Sequence, residues 1–187
     1  ALTGRYDFTT GGYTLTSSAE ALRVRSAGSP TRPDLTLGWT LDGAGTTADP
    51  RAQGRLSLAD LRWLGRTVGR ADVDLDLAGD TLAVATTSPE LGLILEATVD
   101  RTSGEYQLTA DIDGLDPGRL LAAPETAGAS PLSGALSGTA QVAGVWSDPT
   151  ASAVTLDLRE LDARLRGAPF RLEAPARVRY SADGVEV

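Results

Sequence analysis

Alternation of apolar and polar residues is the feature that most constrains what this chain can fold into. Between residues 34 and 41, Leu35, Leu37, Trp39 and Leu41 share one side of an extended chain, while threonine, glycine and aspartate occupy the other. A period of two is typical of a β-strand with one buried face. The same pattern predicts further strands at residues 55–58, 72–77, 91–99, 106–112, 154–158 and 177–180.

Short turn signals separate these runs. Glycine and aspartate pairs adopt the backbone conformations that tight turns require, so they indicate short loops between antiparallel neighbours. We expect turns at Gly11-Gly12, Asp42-Gly43, Gly79-Asp80, Ser103-Gly104 and Asp183-Gly184.

Two regions depart from the alternation. Asp116 followed by Pro117 is a helix-start signal, and the apolar run after it predicts a short helix over residues 116–123. Residues 59–64, which include Trp63, are its expected counterpart in the first half. Residues 124–133 are rich in proline, alanine, glycine and serine, which predicts a loop. This segment is also the best candidate for disorder.

The chain contains an internal repeat. Three pairs of segments match in the same order, with offsets that drift from 93 to 103: residues 10–16 with 103–109, 49–52 with 148–151, and 75–84 with 178–187. Such units stack so that each covers its neighbour. We therefore predict one continuous segment with a first repeat over about 1–90 and a second over about 91–187. Because the second copy stops at its last match, we expect a fragment of a longer protein.

Composition excludes several function classes. The sequence has no His, Cys or Lys, which removes the usual triads, zinc and haem ligands, Schiff bases and the Walker lysine. The net charge of −8 argues against a nucleic-acid partner. We therefore predict a protein that is not an enzyme and that has no cofactor and no metal.

Carboxylates are the remaining candidates for chemistry. Asp72, Asp74 and Asp76 lie on one side of a predicted strand and could hold a hard cation, but a solvated outer face explains them better. The set formed by Asp111, Asp113 and Asp116 is a slightly stronger candidate, although capping of the helix accounts for Asp116.

The aromatic residues are few and the apolar ones are mostly Leu, Val and Ala. We expect Trp39 on the buried face, whereas a ligand platform remains open for Trp63 and Trp146. A closed sandwich usually fills its interior with larger side chains. A curved sheet with a smooth aliphatic face could instead hold acyl chains, which need no specific polar partner.

Three segments resemble a known family. Residues 11–16 with 104–109, 131–140, and 144–149 are similar to the degenerate β-repeats of TamB proteins, which belong to the AsmA-like group of bacterial envelope proteins. The resemblance spans most of the chain and is best over residues 131–158.

The resemblance implies a fold, a location and partners. Members of the family are anchored in the inner membrane and cross the periplasm as a long antiparallel sheet curled into an open trough, the β-taco, with an aliphatic interior. They are associated with phospholipid movement toward the outer membrane, and TamB also with outer-membrane protein assembly beside the barrel protein TamA. The family has no catalytic residues, and the segment that would contact the barrel is not recognisable here.

We therefore predict an all-β, curled antiparallel sheet whose aliphatic face forms a groove for phospholipid acyl chains, with neighbouring repeats of the same chain as further partners. The groove residues are expected to be Leu35, Leu37, Trp39, Leu41, Leu56, Leu58, Val73, Leu75, Leu77, Leu93, Leu95, Leu108, Ile112, Leu136, Val142, Leu156, Leu158 and Val178.

Two alternatives come from other classes. The open edge of the sheet could template strands of client barrels, which would make the protein an assembly scaffold. A plain adhesin or stalk repeat with a closed, dry core is the other, and it requires that no continuous groove exists.

Overall fold

The described residues of the chain form one open antiparallel sheet of thirteen strands. This computed structural model describes residues 1–24, 34–63, 66–120, 132–165, 167–181 and 184–186. The strands are β1 Leu2–Tyr6, β2 Gly12–Val24, β3 Asp34–Thr46, β4 Pro50–Trp63, β5 Arg66–Ala78, β6 Thr81–Ser88, β7 Leu93–Asp100, β8 Glu105–Leu115, β9 Leu132–Val145, β10 Asp148–Leu165, β11 Ala168–Arg171, β12 Ala176–Ser181 and β13 Gly184–Glu186.

Each strand pairs with the next along the chain, apart from one branch near the end. Strand β10 is eighteen residues long and pairs with both β11 and β12 on the same side, so β11 lies off the main path. Within the described ranges the sheet stays open, with β1 and β13 at the two ends of its strand order. The prediction of an all-β, open antiparallel sheet is confirmed, and no interruption separates the two predicted repeats.

The predicted turn at Asp42-Gly43 is wrong. Both residues lie inside β3, where Gly43 pairs with Leu15 on one side and Ala52 on the other. The chain turns later, at residues 47–49, where the Thr46 hydroxyl accepts a hydrogen bond from the Asp49 N–H at 3.0 Å. Backbone pairing on both sides outweighs the local turn preference of an Asp-Gly pair.

The predicted helical counterpart at residues 59–64 is also wrong, because β4 continues through Trp63. Alternation fails there because of a β-bulge: the pairing of β4 with β5 shifts between Leu58 and Leu61, and Asp60 has a positive φ of 53°. An extra residue in one strand reverses the side-chain phase, which hides the strand from a periodicity argument. Leu64 lies outside the described residues.

Three other boundaries differ from expectation. Leu91 belongs to a 3-10 turn, Pro89–Leu91, so β7 begins only at Leu93. The predicted helix exists as a single turn, Pro117–Leu120, which we call α1, and residues 121–123 lie outside the described part. Of the predicted loop, residues 132 and 133 open β9 instead, while residues 124–131 and Asp183 are not among the described residues.

Matching residues of the two repeats occupy equivalent ladder positions. Tyr6 faces Tyr13, and Val99 faces Tyr106, where 99 − 6 and 106 − 13 both give 93. The bulges match too: pairing shifts between Ala19 and Leu22 in β2, and 93 residues later between Ile112 and Leu115 in β8. The repetition therefore extends to the irregularities of the sheet.

One turn recurs with the same hydrogen bonds. The Asp7 carboxylate accepts the Thr9 N–H at 2.8 Å, and the Asp100 carboxylate accepts the Thr102 N–H at 2.8 Å. Each turn ends in a glycine with positive φ, Gly11 at 68° and Gly104 at 74°. These bonds hold the pKa of both aspartates below the ordinary value, and for Asp100 the largest contribution comes from the Ser103 N–H.

Close approach of two strands explains one glycine, which yields a testable prediction. A Cβ added at Gly138 would lie 2.4 Å from the backbone oxygen of Asp157, whereas one at Gly43 would find its nearest neighbour at 3.5 Å. We expect Gly138→Ala to lower the free energy of unfolding by about 1–3 kcal/mol through overpacking. Gly43→Ala, the matched control, should change it by less than about 0.5 kcal/mol. Urea titration measures both, and equal effects would contradict this account.

The Asp100 turn predicts a pH dependence. Because the folded pKa of Asp100 is depressed, its stabilising contribution is present above the unfolded value of 3.8 and is lost as the pH falls through the folded value. Asp100→Ala should therefore lower the melting temperature at pH 7, and this difference should shrink well below pH 3.8. Asp42→Ala, on an exposed strand position, is the control. A loss that persists unchanged in acid would argue against this role.

Candidate functional site: a continuous apolar face

One row of apolar residues crosses the whole sheet. Successive Cα partners place residues from twelve strands in line, and Ser17 is the only polar member. The row consists of Leu2, Ser17, Leu41, Gly54, Leu75, Val84, Ala97, Leu108, Val142, Val154, Tyr180 and Val185. Since neighbouring strands lie about 4.8 Å apart, the row is on the order of 50 Å long.

A second row runs parallel to the first on the same face. Its members are Ala19, Trp39, Leu56, Val73, Thr86, Leu95, Ala110, Ala140, Leu156 and Val178. The Trp39 indole N–H donates to the Ser17 hydroxyl at 3.0 Å, so its one polar atom is satisfied within the face. Two adjacent rows make a band rather than isolated contacts.

The ladder places all eighteen predicted groove residues on this face. Four belong to the first row, six to the second and five to the row beyond it, which contains Leu37, Leu58, Leu93, Ile112 and Leu158. Leu77 lies on the other side of the first row, and Leu35 and Leu136 continue the face past the bulges. The structure therefore brings the predicted set together on one surface.

Sequence reasoning missed several members of the face. Leu82 and Val84 in β6, Val99 in β7 and Tyr106 in β8 lie on it as well. Alternation within β6 was the signal that could have identified Leu82 and Val84, since both alternate with alanine or threonine. Leu82 and Val84 extend the apolar face across β6, between β5 and β7, where Thr86 is the polar member of the second row.

The burial of this face is that of an open surface rather than a core. All eighteen predicted residues are half-buried. Among the described residues only two apolar side chains are buried, Ala110 and Ala163, and no large side chain is fully enclosed. A closed sandwich would enclose large side chains between two layers. The described part of the chain therefore lacks the dry core that the adhesin alternative requires.

A cavity of 520 Å³ opens on the apolar face near the turn between β9 and β10. It is lined by Ala97, Val99, Tyr106, Leu108 and Trp146. The Trp146 side chain is 77% exposed, while its backbone N–H donates to the Gly104 carbonyl at 2.8 Å. This hydrogen bond fixes the position of the turn, and the exposed indole lies beside the opening of the cavity.

One hydrogen bond joins β8 to β10 beside this cavity. The Tyr106 and Ser152 hydroxyls lie 2.5 Å apart, and Ser152 is buried. A Cβ at Gly144 would lie 2.5 Å from the Ser152 oxygen and 3.0 Å from the Tyr106 oxygen. The tyrosine ring therefore covers a position where only glycine fits, and its polar end is satisfied below an apolar surface.

The opposite face is mostly polar. Its central row reads Thr40, Arg55, Asp74, Ala85, Glu96, Thr109, Gln141, Thr155, Arg179 and Glu186. A depression of 680 Å³ lies over this face between β3 and β8, and most of the residues that line it belong to this row or to the polar positions beside it. Depressions therefore occur on both faces of the sheet, and the one beside Trp146 is lined by apolar and aromatic residues.

Cross-strand ion pairs connect neighbouring strands on the polar face. Arg55 contacts Asp74 at 2.7 Å, and Arg177 binds both carboxylate oxygens of Asp157. The hydrogen bonds from Arg177 hold the pKa of Asp157 below its ordinary value and raise that of the guanidinium. Such exposed pairs contribute little to stability. Their main effect is that charged groups keep this face of the sheet hydrated.

Three of the carboxylates weighed as cation ligands are engaged in structural contacts. Asp74, the middle one of its set, pairs with Arg55. Asp111 accepts the Thr139 hydroxyl at 3.0 Å, and Asp116 accepts the Gly118 and Gly134 N–H groups at 2.9 and 3.3 Å. Within the described ranges, no three potential ligands converge on a metal position. Asp116 thus joins the start of α1 to β9.

The remaining two tryptophans are Trp39 and Trp63. Trp39 lies on the apolar face, as expected, whereas the side chain of Trp63 is outside the described part of the structure.

No helix in the described part of the chain is long and apolar enough to cross a membrane.

Comparison with known proteins returned no match. Neither the models of protein families nor the curated proteins nor the solved structures contain a significant relative of this chain. The function of this chain is therefore inferred from the two faces of the sheet.

Proposed function

We propose that this chain is a segment of a lipid-conducting trough, in which the apolar face of the sheet holds phospholipid acyl chains. The row from Leu2 to Val185 carries the proposal, because it is continuous across twelve strands and has a single polar member. An acyl chain needs an apolar track of this kind and no directional polar contacts.

The energetics favour an apolar occupant. A half-buried aliphatic band of this extent would be unfavourable if it stayed in contact with water. Each methylene that an acyl chain transfers from water to the band contributes about 0.8 kcal/mol. Because the Leu, Val and Ala side chains of the band offer no hydrogen-bond partners, they would not select one headgroup or one position, so an occupant could slide from row to row.

The wider setting is part of the same proposal. The resemblance to TamB repeats suggests a periplasmic location, a parent protein anchored in the inner membrane, and transport between the inner and outer membranes. The open sheet and its aliphatic face are consistent with that family architecture. Outer-membrane protein assembly beside a barrel of the TamA type would require parts of the parent protein beyond these residues.

Adjacent residues on opposite faces provide the sharpest test. A photocrosslinking amino acid at Leu108 should capture phospholipid, whereas the same amino acid at Gln107 should not, because the two side chains point to opposite sides of β8. Mass spectrometry of the crosslinked chain after exposure to phospholipid vesicles reads the result. Leu75 and Asp74 form a second matched pair. Equal capture on the two faces would eliminate the proposal.

Trp146 provides an optical test of the cavity. Since its exposed indole lines the cavity with Val99 and Leu108, we expect a long-chain fatty acid to shift the tryptophan emission to shorter wavelength. Trp146→Ala should remove most of this shift, and Leu108→Arg should weaken fatty-acid binding by about tenfold or more, since it places a charge in the apolar band. Gln107→Arg, on the opposite face, is the control. A shift that survives Trp146→Ala would place the fatty acid elsewhere.

A further inference from the structure

The interior of the apolar face has no covering layer that encloses its side chains. Strands β3 to β10 each have a neighbour on both sides, so the exposure of their apolar side chains is a property of the face and not of an edge. Within the described ranges, Ala110 and Ala163 are the only buried apolar side chains. An antiparallel sheet normally packs such a face against a second layer.

The interior part of the face has the area of a protein–protein interface. Neighbouring strands lie about 4.8 Å apart, so β3 to β10 span about 34 Å, and four successive residues on one side of a strand span about 20 Å. Their product, about 700 Å² on each copy, is close to the roughly 800 Å² per partner of a standard interface. An exposed apolar patch of this size marks a binding surface.

The heights of the side chains vary across this face. Strand β3 carries a ridge of large residues, Leu37, Trp39 and Leu41. Strand β9 carries a shallow strip in the same three rows, formed by Gly138, Ala140 and Val142. Strand β6 lies midway between β3 and β9 in the strand order. Rotation by 180° about β6 therefore places the ridge of one copy over the strip of another.

We propose that, when no lipid is bound, two copies of this chain pack their apolar faces together about a two-fold axis that lies along β6. The inference rests on the proposed function, because it names what covers the same face in the absence of acyl chains. The contact is isologous, so the ridge of each copy packs on the strip of the other. Two sheets packed in this way lie about 10 Å apart and enclose a dry core.

The strands between ridge and strip are also complementary. The axis exchanges β4 with β8 and β5 with β7, and five of the eight facing pairs join a large residue to a small one. These pairs are Ala52 with Tyr106, Gly54 with Leu108, Leu56 with Ala110, Ala71 with Leu93, and Leu75 with Ala97. The other three are Leu58 with Ile112, Val73 with Leu95, and Leu77 with Val99.

The axis also accounts for Thr86, the one polar member of the second row. Thr86 lies in β6, so it meets Thr86 of the other copy at the axis. A hydroxyl is both a donor and an acceptor, so the two side chains can hydrogen-bond to each other inside an otherwise apolar contact.

Charge directs the pairing to the apolar faces. The chain has a net charge of −8, and Asp72, Asp74, Asp76 and Glu96 all lie on the polar face. Stacking of two polar faces would bring like charges together, whereas stacking of the apolar faces leaves these carboxylates in water. Neither end of the strand order takes part, so the neighbouring repeats predicted from the sequence can still extend each sheet.

Competition with lipid tests the contact. Sedimentation velocity of the lipid-free chain should show a dimer whose fraction rises with protein concentration. Oleate should convert this dimer to monomer, because acyl chains and the second copy compete for one face. A lipid-free chain that stays monomeric over the accessible concentration range, or a dimer that oleate leaves intact, would overturn the inference. In the first case, phospholipid capture by the photocrosslinker at Leu108 would show that the proposed function still stands.

Exchange of side-chain size tests the axis. Ala97→Leu adds bulk where Leu75 of the other copy packs, so it should weaken dimerisation about tenfold. Adding Leu75→Ala to the same chain should restore much of this loss. Within one copy the two positions are separated by Val84 of β6, so the restoration reports a contact between copies.

Ala85→Leu, on the exposed polar face of β6, is the matched control and should leave dimerisation unchanged. Circular dichroism confirms that each variant is folded. The proposed axis would be overturned by equal effects of Ala97→Leu and Ala85→Leu, or by a double variant that dimerises no better than Ala97→Leu.

Discussion

Backbone pairing in one continuous register is the constraint on which the rest of this structure depends. In the interior of the sheet each strand is paired on both sides, and because side chains alternate along a strand, the register decides which face every residue occupies. A slip of one residue in any strand would move its leucines to the side of the aspartates. The recurrence of bulges at Ala19–Leu22 and at Ile112–Leu115 shows that the two repeats preserve the register through the same irregularities.

The same constraint explains why a chain of this length has so little enclosed core. A single sheet can bury its apolar side only against another layer, and the described residues supply none; Ala110 and Ala163 are the only apolar side chains buried in them. Stability then has to come from the ladder, from neighbouring side chains on the same face, and from whatever covers that face. The proposed acyl chains would act as the missing layer, so ligand binding and folding stability would be linked.

Backbone hydrogen bonds link successive turns along one rim of the sheet. The Gly79 N–H donates to the Pro50 carbonyl, Arg101 to Asp80, and Trp146 to Gly104, so each turn is hydrogen-bonded to the turn before it. These links space the turns regularly and hold Trp146 at the mouth of the apolar cavity.

Alternation in the sequence was enough to determine the all-β class, most of the strands and most members of the apolar face, because side-chain direction in a regular strand depends only on residue parity. The repeat was also readable, since equivalent turns need equivalent residues. Sequence could not determine where parity breaks. Asp60 reverses the phase of β4, and Asp42-Gly43 continues β3 because partners on both sides satisfy its backbone. Only the tertiary structure decided that the sheet stays open and that Tyr106, Gly144 and Ser152 meet beneath Trp146, because those contacts join strands distant in the chain.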